Sequence, residues 1–275
     1  MKKYLALAMV ALLLVCSLAS CTSGSDGSIG DYAPEVNYLS TESGTFYFKE
    51  AEGDTAILTK YVGIATSDDH VKIPSTFNDR VVTGIGDGAF YNLAAIVEVE
   101  IPDSIVTIGA NAFARCTELT HITIPGSVLE IGESAFLECT AMTKVEFSFG
   151  LETIGEKAFY GCSALTDINL PTSLQSIEKG AFAFCKALPE LKVPASVVSI
   201  GELAFTDCVG IESITFANAS TNIGFGAFEH EDGTNLKDKF VTNALAADSK
   251  VMTYVNSLSD SPETEPVTEE VSDEE

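Results

Sequence analysis

The residues of this chain whose type and spacing most directly offer chemistry are its cysteines, seven in all. Five of them, Cys116, Cys139, Cys162, Cys185 and Cys208, recur at a constant step of 23 residues. Such a series could ligate a metal, close disulfides, act as redox centres or fill a core. Zinc needs ligands that converge on one point at about 2.3 Å, usually from close C-x2-C pairs. A column that rises about 4.8 Å per structural unit does not converge. Disulfides between neighbouring units meet the Cα requirement, but parallel side chains leave Cβ atoms about 4.8 Å apart, beyond the usual limit of about 4.5 Å. Five is also an odd number. Core packing fits best, because free cysteine is among the most buried residue types. Leu93 stands in the same slot of an earlier unit and carries no sulfur.

The elements that carry these cysteines are repeats. Ala-Phe pairs end at Phe90, Phe113, Phe136, Phe159, Phe182, Phe205 and Phe228, and Ile85, Ile108, Ile131, Ile154, Ile177, Ile200 and Ile223 keep the same step of 23. Within a unit, Leu119 to Pro125 alternates apolar and polar residues as a half-buried strand does, and Pro125 stops it. The segment from Ile108 to Cys116 has the spacing of a short helical or 3-10 turn. One unit cannot bury its own apolar side chains, whereas stacked units share a continuous core. The inward columns are Val99, Ile122, Val145, Ile168, Leu191 and Ile214, and beside them Ile101, Ile124, Phe147, Leu170, Val193 and Phe216. The expected fold is a solenoid with a parallel sheet on one face and short turns on the other.

Units such as "IGANAFARCTELTHITIPGSVLE" resemble the BspA-like, treponemal-type leucine-rich repeat, with the match running from about Val71 to Phe228. The resemblance implies a leucine-rich-repeat solenoid on a secreted or surface protein of a bacterium, and several members of that family are associated with adhesion. Departures from the pattern are Ser148 and Ala217 for proline, Glu178 for glycine and Glu231 for cysteine. At Ser148 and Glu178 the local turns are expected to differ while the core columns continue.

The flanks have their own signatures. Residues 1–20 read as a secretory signal, with Lys2 and Lys3 ahead of an apolar run from Tyr4 to Val15 that is too short for a membrane span of about 20 residues. Leu18-Ala19-Ser20-Cys21 resembles the lipobox of bacterial lipoproteins, which implies lipidation at Cys21. The expected plan then runs as a flexible tether over 21–44, a β-hairpin cap over 45–70, the repeat array over 71–234, a C-terminal cap over 235–258 and an acidic disordered tail over 259–275. Leu236, Phe240, Leu245, Val251, Val255 and Leu258 give the C-terminal cap helical spacing. Removing residues 1–20 takes away two lysines and no acid, which moves the formal charge from −25 to −27. Such a body repels phosphate backbones and anionic head groups, so nucleic acid is excluded and membrane contact is expected through the anchor only.

No catalytic constellation appears. His70, His121 and His230 sit in different contexts, and neither a nucleophile elbow, an H-E-x-x-H helix nor a phosphate loop is present. Asp54, Asp68, Asp69 and Asp87 lack the order of a calcium loop. Neither enzyme activity, a metal nor a cofactor is expected. The candidate ligand-binding surface is the outward side of the strands: Glu98, His121, Lys144, Asp167, Glu190 and Ser213 in one column, with Glu100, Thr123, Glu146, Asn169, Lys192 and Thr215 beside it. Solenoids use such surfaces to bind a protein or glycan. An ordinary solvated face on a structural envelope protein is the competing reading, because this face has no aromatic anchor.

Overall fold

Alternating apolar residues on either side of an acidic glycine turn form an antiparallel hairpin ahead of the repeats, β2 (Gly44–Ala51) and β3 (Thr55–Gly63). The computed structural model describes residues 37–63, 70–242 and 246–258. The signal segment, Cys21, the tether as far as residue 36, Asp68, Asp69, Leu245 and the acidic tail lie outside the described residues. A short strand β1 (Tyr38–Ser40) pairs antiparallel with β2, so the segment expected to be tether throughout ends in a strand. Next come β4 (His70–Lys72) and a second hairpin, β5 (Thr76–Phe77) with β6 (Arg80–Ile85). Asn78 and Asp79 close it with φ of 48° and 63°, the left-handed pair that a two-residue I′ turn needs.

Each later unit contributes a strand of two to four residues to a wider sheet and a strand of two residues to a narrower one. They are β7 (Glu98–Glu100) and β8 (Thr107–Ile108), β9 (His121–Ile124) and β10 (Glu130–Ile131), and β11 (Lys144–Phe147) and β12 (Thr153–Ile154). The series continues with β13 (Asp167–Ile168) and β14 (Ser176–Ile177), β15 (Glu190–Val193) and β16 (Ser199–Ile200), and β17 (Ser213–Phe216) and β18 (Asn222–Ile223). The strands of the wider sheet pair parallel one repeat apart, His121 beside Lys144 and Lys144 beside Asp167. The narrower ones form a second parallel sheet, continuous through β6 and β3 with the N-terminal hairpin. Strands of two residues are too short to show an alternation, so the sequence pattern reveals only the wider sheet. Gly132 marks the close approach of neighbouring narrow turns: a Cβ there would stand 2.7 Å from the backbone of Gly109.

The third side of each rung is the turn that carries Ala-Phe and cysteine. Its i to i−3 hydrogen bonds, such as Cys116 N to Phe113 O at 3.2 Å, are those of a 3-10 turn. No helix propagates, because left-handed residues such as Asn111 and Arg115, φ 55° and 62°, interrupt the run. Instead each phenylalanine N–H from Phe90 to Phe205 donates to the alanine carbonyl of the next rung, as Phe113 does to Ala135 at 2.7 Å. This holds the rings in a stack, with centroids 4.8 to 5.3 Å apart from Phe90 to Phe228 and planes within 11° of parallel. All seven rings are buried, each side chain worth roughly 1.5–3 kcal/mol.

Departures from the repeat have local consequences. At Ser148 and Ala217 the missing proline frees an N–H, which donates to Ile124 O and Val193 O at 3.0 Å. At Glu178 the turn does not differ: its N–H reaches Ile154 O at 2.9 Å as Gly155 N reaches Ile131 O. The wider sheet splits between β13 and β15. Thr120, Thr143 and Thr166 each donate both N–H and Oγ1 to the residue one rung back, and Pro189, next in that column, has neither donor. Ile168, on the edge strand at this break, is only half-buried although its column neighbours Val145 and Leu191 are fully so.

The C-terminal end is closed by Phe240, by a 3-10 turn over Lys237–Lys239 and by one α-helix, α1 (Lys250–Ser257). Ser249 caps that helix through its side chain to Met252 N, and Val251 and Val255 face inward. Phe240 stacks on Phe216 and meets Phe228 edge-on. Among the described residues no helix is long and apolar enough to cross a membrane.

Candidate functional site

The five repeat cysteines are buried, free and hydrogen-bonded. Each Sγ donates to the carbonyl of the phenylalanine one rung back, from Cys116 to Phe90 at 3.1 Å through to Cys208 to Phe182 at 3.1 Å. Cysteine suits the slot because it is small, apolar and still carries a weak donor. Leu93 can replace it at the first rung, where no Ala-Phe rung lies beneath to offer such a carbonyl. Burial pushes the thiols of Cys116, Cys162 and Cys208 from their ordinary 9.0 up to about 12, and those of Cys139 and Cys185 well above it. Thiols held protonated and out of water are not nucleophiles.

The outward columns of the wider sheet are where the alternation places them, in water. Their charges are engaged with one another along and across the strands. Lys144 lies 2.6 Å from Glu146 and 3.8 Å from Asp167, and Lys192 lies 2.6 Å from Glu190. The hydrogen bond from Lys144 lowers the Glu146 carboxyl and raises Lys144 itself. Thr123 reaches Glu146 at 3.4 Å. Asn169, Ser213 and Thr215 have no side-chain partner among the described residues.

His70 and His121, unrelated in the sequence, meet on opposite oxygens of the Glu98 carboxylate, His121 Nε2 at 3.1 Å. Beside them Lys72 pairs with Glu100 at 2.6 Å. His70 and Lys72 extend the outward columns by one strand. The repeat spacing hides them because the β5–β6 hairpin lengthens the step from Lys72 to Glu100 to 28 residues. Two imidazoles on opposite sides of one carboxylate do not converge, and among the described residues no group of three or more His, Cys, Asp or Glu is placed to hold a metal.

Clefts of about 340 to 350 Å³ open on this face at Lys144 and at the Pro189 split, where Asp167, Asn169, Glu190 and Lys192 line the break. A larger one of about 1040 Å³ lies beside the N-terminal hairpin, between Leu39, Ser43, His70, Ile73 and Pro102. On the turn face His230 sits in the cleft formed by Tyr160, Phe184 and Phe225. Thr120 Oγ1 lies 3.2 Å from His121 Nδ1, but it also donates to Val97 O at 3.2 Å as part of the ladder of threonines that joins the strands. The arrangement offers extended polar and apolar surfaces on a rigid frame.

Residues 69–171 and 152–243 match the family described as the BspA type leucine-rich repeat region (6 copies). A leucine-rich repeat protein of T. pallidum is 29% identical, covering 67% of this chain and 85% of its own, with a TM-score of 0.62. A leucine-rich cell surface protein of Faecalibacterium prausnitzii is 28% identical over 71% of this chain and 56% of its own, with a TM-score of 0.49. A leucine-rich repeat protein of Eubacterium ventriosum is 24% identical over 70% of this chain and 49% of its own, with a TM-score of 0.58. No curated protein matches.

Proposed function

Because the chain belongs to the BspA-type leucine-rich repeat family, we propose that it is a surface-displayed lipoprotein that binds a protein or glycan partner through its repeat solenoid. The observation that carries this reading is the division of labour within each rung. The Phe, Cys and Ile columns supply the core, so that twelve outward positions from Glu98 to Thr215 vary in charge and shape without cost to the fold. A face of this kind recognises partners by complementarity, with no chemistry of its own.

Anchoring rests on the N-terminal segment: Lys2 and Lys3, the apolar run and Leu18-Ala19-Ser20-Cys21 fit a lipoprotein signal, with Cys21 as the acylated residue. Replacing Cys21 with alanine is then expected to move the protein from the membrane fraction to the soluble one. Retention of the variant in the membrane would count against the anchor.

Binding is tested by capturing ligands from an array of surface proteins and glycans with the chain carrying Lys144→Glu and Lys192→Glu. Loss of a wild-type hit in the variant is the expected result. The pairing of Lys144 with Glu146 and of Lys192 with Glu190 favours a second reading, a structural envelope protein whose face is already neutralised and seeks no ligand. An array without wild-type hits would select that second reading.

A further inference from the structure

The turn face holds an apolar cleft of about 350 Å³ that neither the core nor the strand-face reading explains. Its walls are Tyr160, Phe184, Leu203 and Phe225, and the small residues Gly180 and Ala183 leave the hollow between them. Tyr160 and Phe184 have ring centroids 5.0 Å apart, and Phe225 is 78% exposed. An exposed ring of this size adds little to folding, and here the backbone works against it. Phe184 and Leu203 are left-handed, with φ of 62° and 55°, at turn positions where other rungs place glycine, asparagine or a polar side chain: Gly161, Asn92, Arg115, Glu138 and Asp207 for the first, Gly88, Asn111, Ser134 and Lys157 for the second. A side chain with a Cβ costs roughly 1–2 kcal/mol there. Two bulky apolar residues are therefore held, at some cost, where they face solvent.

The floor is polar. His230 has only 10% of its side chain exposed and stands 3.8 Å from Asp207 Oδ1, too far for a hydrogen bond. Its Nδ1 and Asp207 Oδ2 are buried with no partner. With Nδ1 turned to Asp207, an occupant of the cleft would have to bond His230 through the Nε2 edge of the ring. A purely apolar side chain from a protein partner would cover the walls and leave that edge unpaired, which is costly. The rim carries Lys157 and Lys179 beside Glu229 and Glu231, but both lysines are already paired, with Glu156 at 3.0 Å and Glu202 at 2.7 Å, which leaves Glu229 and Glu231 to repel an anion on a chain whose net charge is −25. A neutral sugar ring fits both halves: its C–H face lies flat against aromatic walls, and its hydroxyls donate and accept at the floor.

We propose that this cleft binds one neutral pyranose unit of a glycan, stacked on Phe225 and Tyr160 and hydrogen-bonded by His230. The site lies on a different face from the outward strand columns and stands whether or not those columns bind anything.

The test is an array of neutral hexose and N-acetylhexosamine glycans, free of sialic acid, uronic acid and sulfate, probed with the full chain. Wild-type chains and a control carrying Lys49→Glu, an exposed change in the N-terminal hairpin away from both faces, should retain the same glycans. Phe225→Ala and His230→Gln should weaken retention by about tenfold or more, the worth of a stacking ring or of a buried hydrogen bond. Phe225 is solvent-exposed, so its removal leaves the fold intact. Retention of no neutral glycan by the wild type overturns the proposal. So does retention that Phe225→Ala leaves unchanged; if Lys192→Glu abolishes it instead, the sugar belongs to the strand face and only the proposal for the turn face fails.

Discussion

Phe228 donates its backbone N–H to the hydroxyl of Tyr254, 3.2 Å away, and so ends a ladder that six earlier phenylalanines continue through alanine carbonyls. At the other end Tyr61 enters the same ladder: its N–H donates to Ala89 O at 2.8 Å, and its ring lies 5.2 Å from Phe90. A tyrosine thus closes each end of the phenylalanine stack. Each brings a ring for the stack and a hydroxyl for a backbone group, Tyr254 accepting from Phe228 N and Tyr61 donating to Ser43 O at 2.6 Å.

Tyr254→Phe keeps the edge-on contact with Phe228 and removes only the acceptor. An orphaned buried N–H costs about 1–3 kcal/mol. For a body of this size that corresponds to a fall in Tm of about 2–4 °C per kcal/mol. Calorimetry should show it together with faster exchange of the Phe228 amide. An unchanged Tm and amide would mean that water serves as the terminal acceptor equally well.

The buried thiols set an alkaline limit. Cys116, Cys162 and Cys208 stay protonated to about 12 in the fold, while in the unfolded chain they ionise near 9.0. A raised folded value means that the stability these thiols contribute is complete below pH 9 and is lost as pH climbs toward 12. Each pH unit in that window withdraws up to about 1.4 kcal/mol per thiol. Cooperative unfolding followed by circular dichroism should therefore begin between about pH 9 and 11. At pH 8 a thiol reagent should find at most Cys16 and Cys21, and the other five only after denaturation. Rapid reaction of a third thiol in the native protein would contradict the packing.

Pro189→Thr should mend the wider sheet. Threonine supplies the N–H and hydroxyl that Thr166 directs to Thr143, each bond worth about 0.5–1.5 kcal/mol. Loss of the proline gives back about 0.4–1 kcal/mol of unfolded-state entropy, so the net change in stability is small. Amide exchange discriminates better than the melting point. Protection along 190–193 should rise in the variant, and exchange at the wild-type rate would show that something other than the proline keeps β13 and β15 apart.

The repeating half of this architecture is visible in the chain itself. A fixed step of 23 residues places Phe, Cys and Ile in the columns where the structure has them, because a solenoid converts sequence period directly into spatial register. What stays hidden is whatever breaks or escapes that period. The β5–β6 hairpin displaces His70 from the register that would have linked it to Glu98 and His121. The narrower strands are two residues long and leave no alternation to read. Pro189 stood in plain view as the member of a threonine column unable to donate, and Asn78-Asp79 as a hairpin turn. The donor role of the cysteines emerges only when the rung beneath supplies a carbonyl. The cleft on the turn face is hidden for a different reason: its residues come from successive rungs and do not form a motif along the chain.

Leu203→Asn separates the two uses of a large apolar side chain. Leu203 is 39% exposed and left-handed, and Asn111 occupies the equivalent turn position at the same φ of 55°. Asparagine tolerates that conformation, so the relief of about 1–2 kcal/mol should offset the apolar area lost. Urea denaturation is expected to give a midpoint equal to the wild type or slightly higher. The same change at Leu188, fully buried in the same array, should cost several kcal/mol, since it leaves both a void and an unpaired amide. A loss above about 2 kcal/mol at Leu203, the range of a buried leucine truncation, would make this residue part of the core. The turn-face cleft would then be a by-product of folding, and its strained walls would need no ligand to explain them.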